Sequence, residues 1–432
     1  MQGNLITTLL ALIFYLTSSV FGGNSGSSQP ISTPTNPGSS QVSNFPRSGK
    51  VTGKETNLRD NYQNGTPVGA LSEGSSLLVL DEKNGWYRVQ ADGDRQGWVP
   101  KWTVSLKTYA SGISNSEKII AGYYVENYAG DSIGYKALAQ NLGAINMLIP
   151  FSFQVDQYGS IQSSHSSKPV NLARSAGADT LALVNNIKGG NFNSNAIHKM
   201  LTNSASRSRA INGIIRTIVE NGYQGVNIDF ENVPAKDRIY LTAFFRELSA
   251  ALRPKNLSVT ASIPAKTYDD KTSSHGGAYD YQAIAPYLDR VMIMTYDEHY
   301  SGGTAGPVAS YPWVEKVINY TLRYFSNSKI IVGIAAYGYD WSLSNGKAIT
   351  FKAIQNLIKK HNIAPKWHAN YKVPYFTYKN WGITHQVWYE NSYSTATKME
   401  LVRKYNLRGV AVWRLGYEDP AIWSTIQQQL AH

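Results

Sequence analysis

From residue 116 onward, eight short apolar runs recur: IIAGYY (119–124), INMLIPFSF (145–153), TLALVNN (180–186), GVNIDFE (225–231), SVTASIPA (258–265), RVMIMTYD (290–297), KIIVGIAAYG (329–338) and GVAVWRLG (409–416). Most are continuous rather than alternating, the pattern of strands covered on both faces. Between them apolar residues fall three or four apart, as in SRSRAINGIIRTIVENG (206–222) and RIYLTAFFRELSAALR (238–253), the spacing of one helix face. Strands alternating with helices over 116–432 predict an α/β fold, a (β/α)8 TIM barrel. The gap between the seventh and eighth runs holds strand-like pieces of its own, VPYFTY and HQVWYE. It predicts an insertion after strand 7.

The upstream region has a different texture. Over 48–107 short alternating runs such as Trp86-Tyr87-Arg88-Val89 are separated by the turn signals Asn84-Gly85 and Asp92-Gly93, which predict hairpins in a small all-β barrel. Residues 23–47 are rich in Ser, Gly, Pro, Asn and Thr and read as a disordered linker. Before them, Leu5 to Leu16 is apolar but shorter than a membrane span. Residues 1–22 therefore read as a signal peptide; since the first charged side chain is Arg47, an uncleaved N-terminal anchor is the alternative.

Charge and composition narrow the function. The 432 residues carry a net charge of +12 without a lysine or arginine cluster dense enough for a nucleic-acid stripe, so a polyanionic wall or surface is favoured over nucleic acid. The absence of cysteine excludes disulfides, thiolate metal sites and cysteine nucleophiles. No metal site is indicated by the scattered histidines, and no cofactor by any phosphate-binding glycine pattern. His299, just past MTYD, reads as a loop histidine near the rim.

The chemistry centres on GVNIDFE. Strand alternation turns Val226, Ile228 and Phe230 toward the helices and Gly225, Asn227, Asp229 and Glu231 toward the barrel axis. Two inward carboxylates at the C-terminal end of a barrel strand are costly unless they are used, and that end is where barrel enzymes place their sites.

QGVNIDFE resembles the D-x-x-D-x-D-x-E signature of glycoside hydrolase family 18, departing from it at Gln224 and Asn227. Further matches are MTYD (294–297), FSF (151–153) and Trp413; WYE (388–390) and the NIDFE form resemble the branch acting on spore and wall peptidoglycan. The resemblance implies a secreted or wall-associated glycosidase cleaving β-1,4-linked N-acetylglucosamine by a substrate-assisted retaining route. It implies catalytic roles for Glu231 as the acid, Asp229 as orienter of the substrate acetamido group and Tyr296 as its hydrogen-bond donor. Asn227, Asp297, Met294, Trp413, Phe153 and Trp388 are the implied substrate-binding residues. With Asn227 in place of a third carboxylate, its amide is expected to donate to Asp229 and ease that residue's ionisation. The upstream barrel resembles bacterial SH3 domains through Leu58-Arg59, NGWYRV (84–89) and GWV (97–99), implying wall binding, with a ligand-free spacer as the alternative. The implied partner is thus peptidoglycan or chitin polysaccharide, met by a monomer. A chitinase, and a lectin that has lost catalysis, are the competing functional readings.

Overall fold

Eight parallel strands close on themselves: β1 (Ile119–Tyr124), β2 (Met147–Val155), β3 (Ala182–Asn185), β4 (Gly225–Asp229), β5 (Ser258–Pro264), β6 (Arg290–Met294), β7 (Ile330–Ala335) and β8 (Gly409–Trp413). Each pairs with the next, and β8 returns to β1 with Val410 opposite Ile120. The computed structural model describes residues 47–91, 95–106, 117–128, 130–164, 166–343 and 345–431. The leader and linker expected upstream, and the Asp92-Gly93 turn, lie outside the described residues.

Both faces of the barrel strands are apolar because both are covered. Ile119, Ala121, Met147, Ile149, Leu183, Met292, Ile331 and Ala411 fill the interior. Their alternates, among them Ile120, Leu148, Val184, Val226, Ile228, Val332 and Val410, pack outward into the helical layer. The helix Ser204–Asn221 shows how that layer is specified. Ala210, Ile211, Ile214, Thr217 and Ile218 form its buried stripe. Asn203 caps its start by accepting from the Ser206 N–H, and Gly222 ends it in the left-handed region at φ 66°.

The insertion follows β7. Strands Tyr337–Ser342, Asn345–Thr350, Lys366–His368, Val373–Asn380 and Ile383–Tyr389 form a five-stranded antiparallel sheet. One face gathers Tyr337, Tyr339, Trp341, Val373 and Trp388. The other gathers Phe376, Tyr378, Val387 and Tyr389 around Ile354 of the helix Phe351–His361.

The upstream segment forms a separate seven-stranded antiparallel sheet from Arg47 to Leu106 around Val51, Leu58, Leu71, Val79, Val89 and Val99. Asn84 (φ 48°) and Gly85 (φ 81°) make the expected hairpin turn between Ser76–Lys83 and Trp86–Ala91.

Candidate active site

Val226 and Ile228 of β4 face the helices, and Phe230 continues on that side with its ring centroid 5.3 Å from Phe244. Asn227 and Asp229 therefore turn to the axis. Asn227 is fully buried and bridges the interior. Its Nδ2 donates to Thr260 Oγ1 at 3.1 Å and to Met292 Sδ at 3.4 Å, and its Oδ1 accepts from Ser262 Oγ at 2.9 Å. Ser262 Oγ lies 2.8 Å from the Tyr123 hydroxyl. The amide expected to reach Asp229 is committed across the barrel instead, because acceptors on β5 and β6 line its layer. At the other end of β4, Gln224 Oε1 accepts from the N–H and hydroxyl of Thr180, fixing the start of the strand.

Strand pairing ends at Asp229, two residues short of the apolar run. Beyond it the backbone is held by side chains. The Glu231 N–H donates to Asn186 Oδ1 at 2.9 Å, and Asn186 Nδ2 donates back to the Glu231 carbonyl at 2.9 Å. One amide at the end of β3 thus takes the place of a strand neighbour. The hydroxyl of buried Tyr279 donates to the Phe230 carbonyl at 2.7 Å, and Lys266 Nζ donates to the Tyr279 carbonyl at 2.7 Å. Asn186, Tyr279 and Lys266 carry no sequence signal for this work, since their role exists only once β3, β4 and the β5 loop are adjacent.

After β6, Thr295 Oγ1 donates to the Gly333 carbonyl at 2.7 Å. Gly333 also makes room for Tyr296: a Cβ there would lie 2.9 Å from the Tyr296 ring. Asp297 follows in a left-handed backbone (φ 61°) and accepts from the hydroxyls of Tyr337 at 2.6 Å and Tyr339 at 2.9 Å. The insertion thereby supplies both donors that hold Asp297.

These groups share one electrostatic environment. Burial alone raises the Asp229 carboxyl to about 7. Burial raises Glu231 well above the usual carboxyl range, and the charges of Asp229 and Asp297 raise it further. Burial also lifts Asp297 to about 6, against the lowering effect of its two tyrosine donors. The Tyr296 hydroxyl is driven up by burial first, then by Tyr123, Asp229, Glu231 and Asp297. Like charges this close cannot all ionise together, and both burial and the neighbouring carboxylates favour the protonated form of Glu231. The arrangement sets two carboxyl groups of raised pKa beside a phenol whose hydroxyl is held neutral by burial.

Aromatic side chains gather at the same end of the barrel. Trp413, partly buried at the end of β8, lies 5.4 Å from Tyr123 and 5.6 Å from Phe151. Met294 ends β6 opposite Pro264 on the same parity as inward Met292. Trp388 stacks on Tyr375 at 4.6 Å in the apolar cluster that Tyr296 and Trp413 join from the barrel. Phe153 does not join them. It is 1% exposed on the helix side, edge-on to Tyr223 at 5.9 Å, and Phe151 takes the inward place. The cause is a β-bulge: Leu183 pairs with Phe151 but the next residue, Val184, pairs with Phe153, which reverses the alternation between the two rings. His299 is a loop residue whose Nδ1 lies 3.0 Å from the Thr304 carbonyl oxygen.

Residues 119–418 match the family model described as glycosyl hydrolases family 18, and residues 62–105 match that of the bacterial SH3 domain. The chain belongs to glycosyl hydrolases family 18. It is 30% identical over 339 residues to the uncharacterized glycosylase YvbX of Bacillus subtilis, covering 76% of this chain and 98% of that one. The spore cortex-lytic enzyme SleL of Bacillus megaterium superposes with a TM-score of 0.68 at 25% identity, over 85% of this chain and 80% of that one. A chitinase from Chromobacterium violaceum superposes with a TM-score of 0.69 at 29% identity, over 73% of this chain and all of the other. This family 18 member is a glycosidase related to spore cortex-lytic enzymes and chitinases.

Proposed function

We propose that the protein is a secreted or wall-associated hydrolase that cleaves the β-1,4 bond after N-acetylglucosamine in peptidoglycan. The observation that carries the reading is the convergence of Glu231, Asp229 and Tyr296 at the C-terminal ends of β4 and β6, where burial and the charges of Asp229 and Asp297 favour the protonated form of Glu231. Glu231 gives its proton to the glycosidic oxygen as that C–O bond breaks. The oxygen of the sugar's own acetamido group attacks the anomeric carbon, forming a cyclic oxazolinium ion. Asp229 orients the acetamido group and stabilises the positive charge on its nitrogen, and the Tyr296 hydroxyl donates to its oxygen. Water then attacks the anomeric carbon and gives a proton to the Glu231 carboxylate, restoring the acid and retaining the β-configuration. Trp413 supports the reacting sugar from below.

The peptidoglycan assignment is supported by the likeness to a spore cortex-lytic enzyme, the SH3-like module and the net charge of +12. In this reading the module from 48 to 107 holds the enzyme on the wall. The likeness to a chitinase over that protein's whole length favours the second reading, hydrolysis of chitin oligomers. Product analysis on purified sacculi and on chitin oligomers separates the two. Borohydride reduction of the sacculus digest should yield N-acetylglucosaminitol. Muramitol as the main product, or cleavage of chitin oligomers alone, overturns the peptidoglycan reading. An α-anomer as first product excludes the acetamido route.

A further inference from the structure

The insertion sheet carries a surface feature that its role beside Asp297 does not explain. Its two hairpins, Tyr337–Ser342 with Asn345–Thr350 and Val373–Asn380 with Ile383–Tyr389, turn at the same edge, because Ser342 pairs with His385. That edge lies at the far end of the strand from Tyr337, which leaves the barrel, about five residues or 17 Å away. Each turn carries a large apolar side chain in the left-handed region. Leu343 (φ 57°) is 88% exposed and Trp381 (φ 50°) is 94% exposed. Such turns normally take Asn or Gly at no steric cost, and neither side chain packs on the fold.

Charge gathers in the same unit. Between Tyr337 and Tyr389 stand seven lysines and one acid, Asp340. Asp340 accepts from the Tyr378 hydroxyl at 2.6 Å, and its other oxygen lies 2.9 Å from His385 Nδ1. Lys347 and Lys379 flank the two turns, and Lys359 and Lys360 end the helix Phe351–His361, whose His361 ring lies 4.7 Å from Tyr378 near that edge. All four lysines are exposed.

We propose that this edge docks the enzyme on an anionic lipid bilayer, with Trp381 and Leu343 entering the headgroup boundary and the lysines facing the acidic headgroups. Trp suits the boundary because its ring is apolar with one polar N–H. A leucine beside it fits acyl chains and offers a sugar no stacking face, so lipid rather than wall polymer is the occupant. Lysines near an anionic surface add attraction that salt screens. Among the described residues no helix is long and apolar enough to cross a membrane, so the contact is peripheral.

The chain has no cysteine, so Leu343→Cys gives one attachment point for an apolar, polarity-sensitive fluorophore in the full chain. The probes are vesicles of phosphatidylcholine alone and of phosphatidylcholine mixed with phosphatidylglycerol. Emission from position 343 should strengthen and shift to the blue only with phosphatidylglycerol, and high salt should reverse it. Lys347→Glu and Lys379→Glu should each weaken partitioning about five-fold or more, and Trp381→Ser should reduce the shift. The same fluorophore at Val68→Cys, in the upstream module, should not respond. It controls for contact made by the apolar 5–16 segment. Hydrolysis of a short soluble N-acetylglucosamine oligomer should be unchanged in every variant, showing that each is folded. Silence at position 343, an equal response at position 68, or indifference to the lysine changes overturns the proposal. A response to purified wall polymer in place of vesicles overturns it too.

Discussion

Asn186 and Glu231 are joined by two hydrogen bonds through a single side-chain amide, one from the Glu231 N–H and one to its carbonyl. The acid's backbone has no strand partner at this point, so its position depends on that amide. Asn186→Ala should lower kcat about ten- to hundred-fold, the scale of a misplaced catalytic group, with little change in KM. Asn186→Asp keeps the acceptor and loses the donor, and should fall between the two. A matching loss in Asn186→Asp and Asn186→Ala, or a change confined to KM, would remove the positioning role.

Glu231→Gln deletes the proton without changing the size of the side chain. Activity on sacculi or chitin oligomers should fall about 100- to 10,000-fold, the range for general acid catalysis, while polysaccharide binding persists. Near-normal turnover would place the acid elsewhere.

The charge of Asp297 helps keep the Glu231 proton in place. In Asp297→Asn that charge is gone, so Glu231 releases its proton at lower pH. The alkaline limb of the kcat/KM profile should move to lower pH than in the wild type. An unmoved limb would mean that another group titrates there.

Asp229 makes a testable contribution to stability. Its carboxyl is raised to about 7 in the fold, against roughly 3.9 in an unfolded chain. Its favourable contribution is full below the unfolded value and is lost as pH rises through the folded one. At pH 8 Asp229→Asn should therefore raise the unfolding free energy by something on the order of a few kcal/mol. The gain should shrink toward zero near pH 4. Thermal melts across pH check it, and a gain independent of pH would contradict it.

The bulge in β2 separates two phenylalanines that look equivalent. Phe153→Ala should cost about 3–5 kcal/mol of stability, as for a large ring lost from a core. Phe151→Ala should leave the fold more stable than that and show its effect in KM, because its ring faces Trp413. Denaturation midpoints and kinetics of both variants distinguish them.

The barrel strands were legible because a strand covered on both faces must be apolar throughout, and each apolar run contains one. The inward turn of Asp229 is legible because alternation from Val226 aims it at the axis. The family resemblance places Phe153 among the substrate-binding residues, but a bulge set by pairing with Leu183 and Val184, which leaves no mark in FSF, turns its ring to the helices. The strand end was overestimated for a similar reason: Glu231 looks like more strand, but its N–H goes to a side chain. The Asn227 amide was aimed at its neighbour in sequence, whereas its acceptors lie 33 and 65 residues away.

The seam between β8 and β1 also sets when the barrel can close. Gly409 lies opposite Ile119, and a Cβ at Gly409 would lie 2.0 Å from the Ile119 carbonyl oxygen, so the seam is tight. β8 also brings Trp413 to the pocket. The last barrel strand to be synthesised therefore both shuts the barrel and finishes the site. Before it arrives, β1 and β7 are open apolar edges. A nascent chain therefore carries Glu231 about 180 residues before the strand that lets the barrel close.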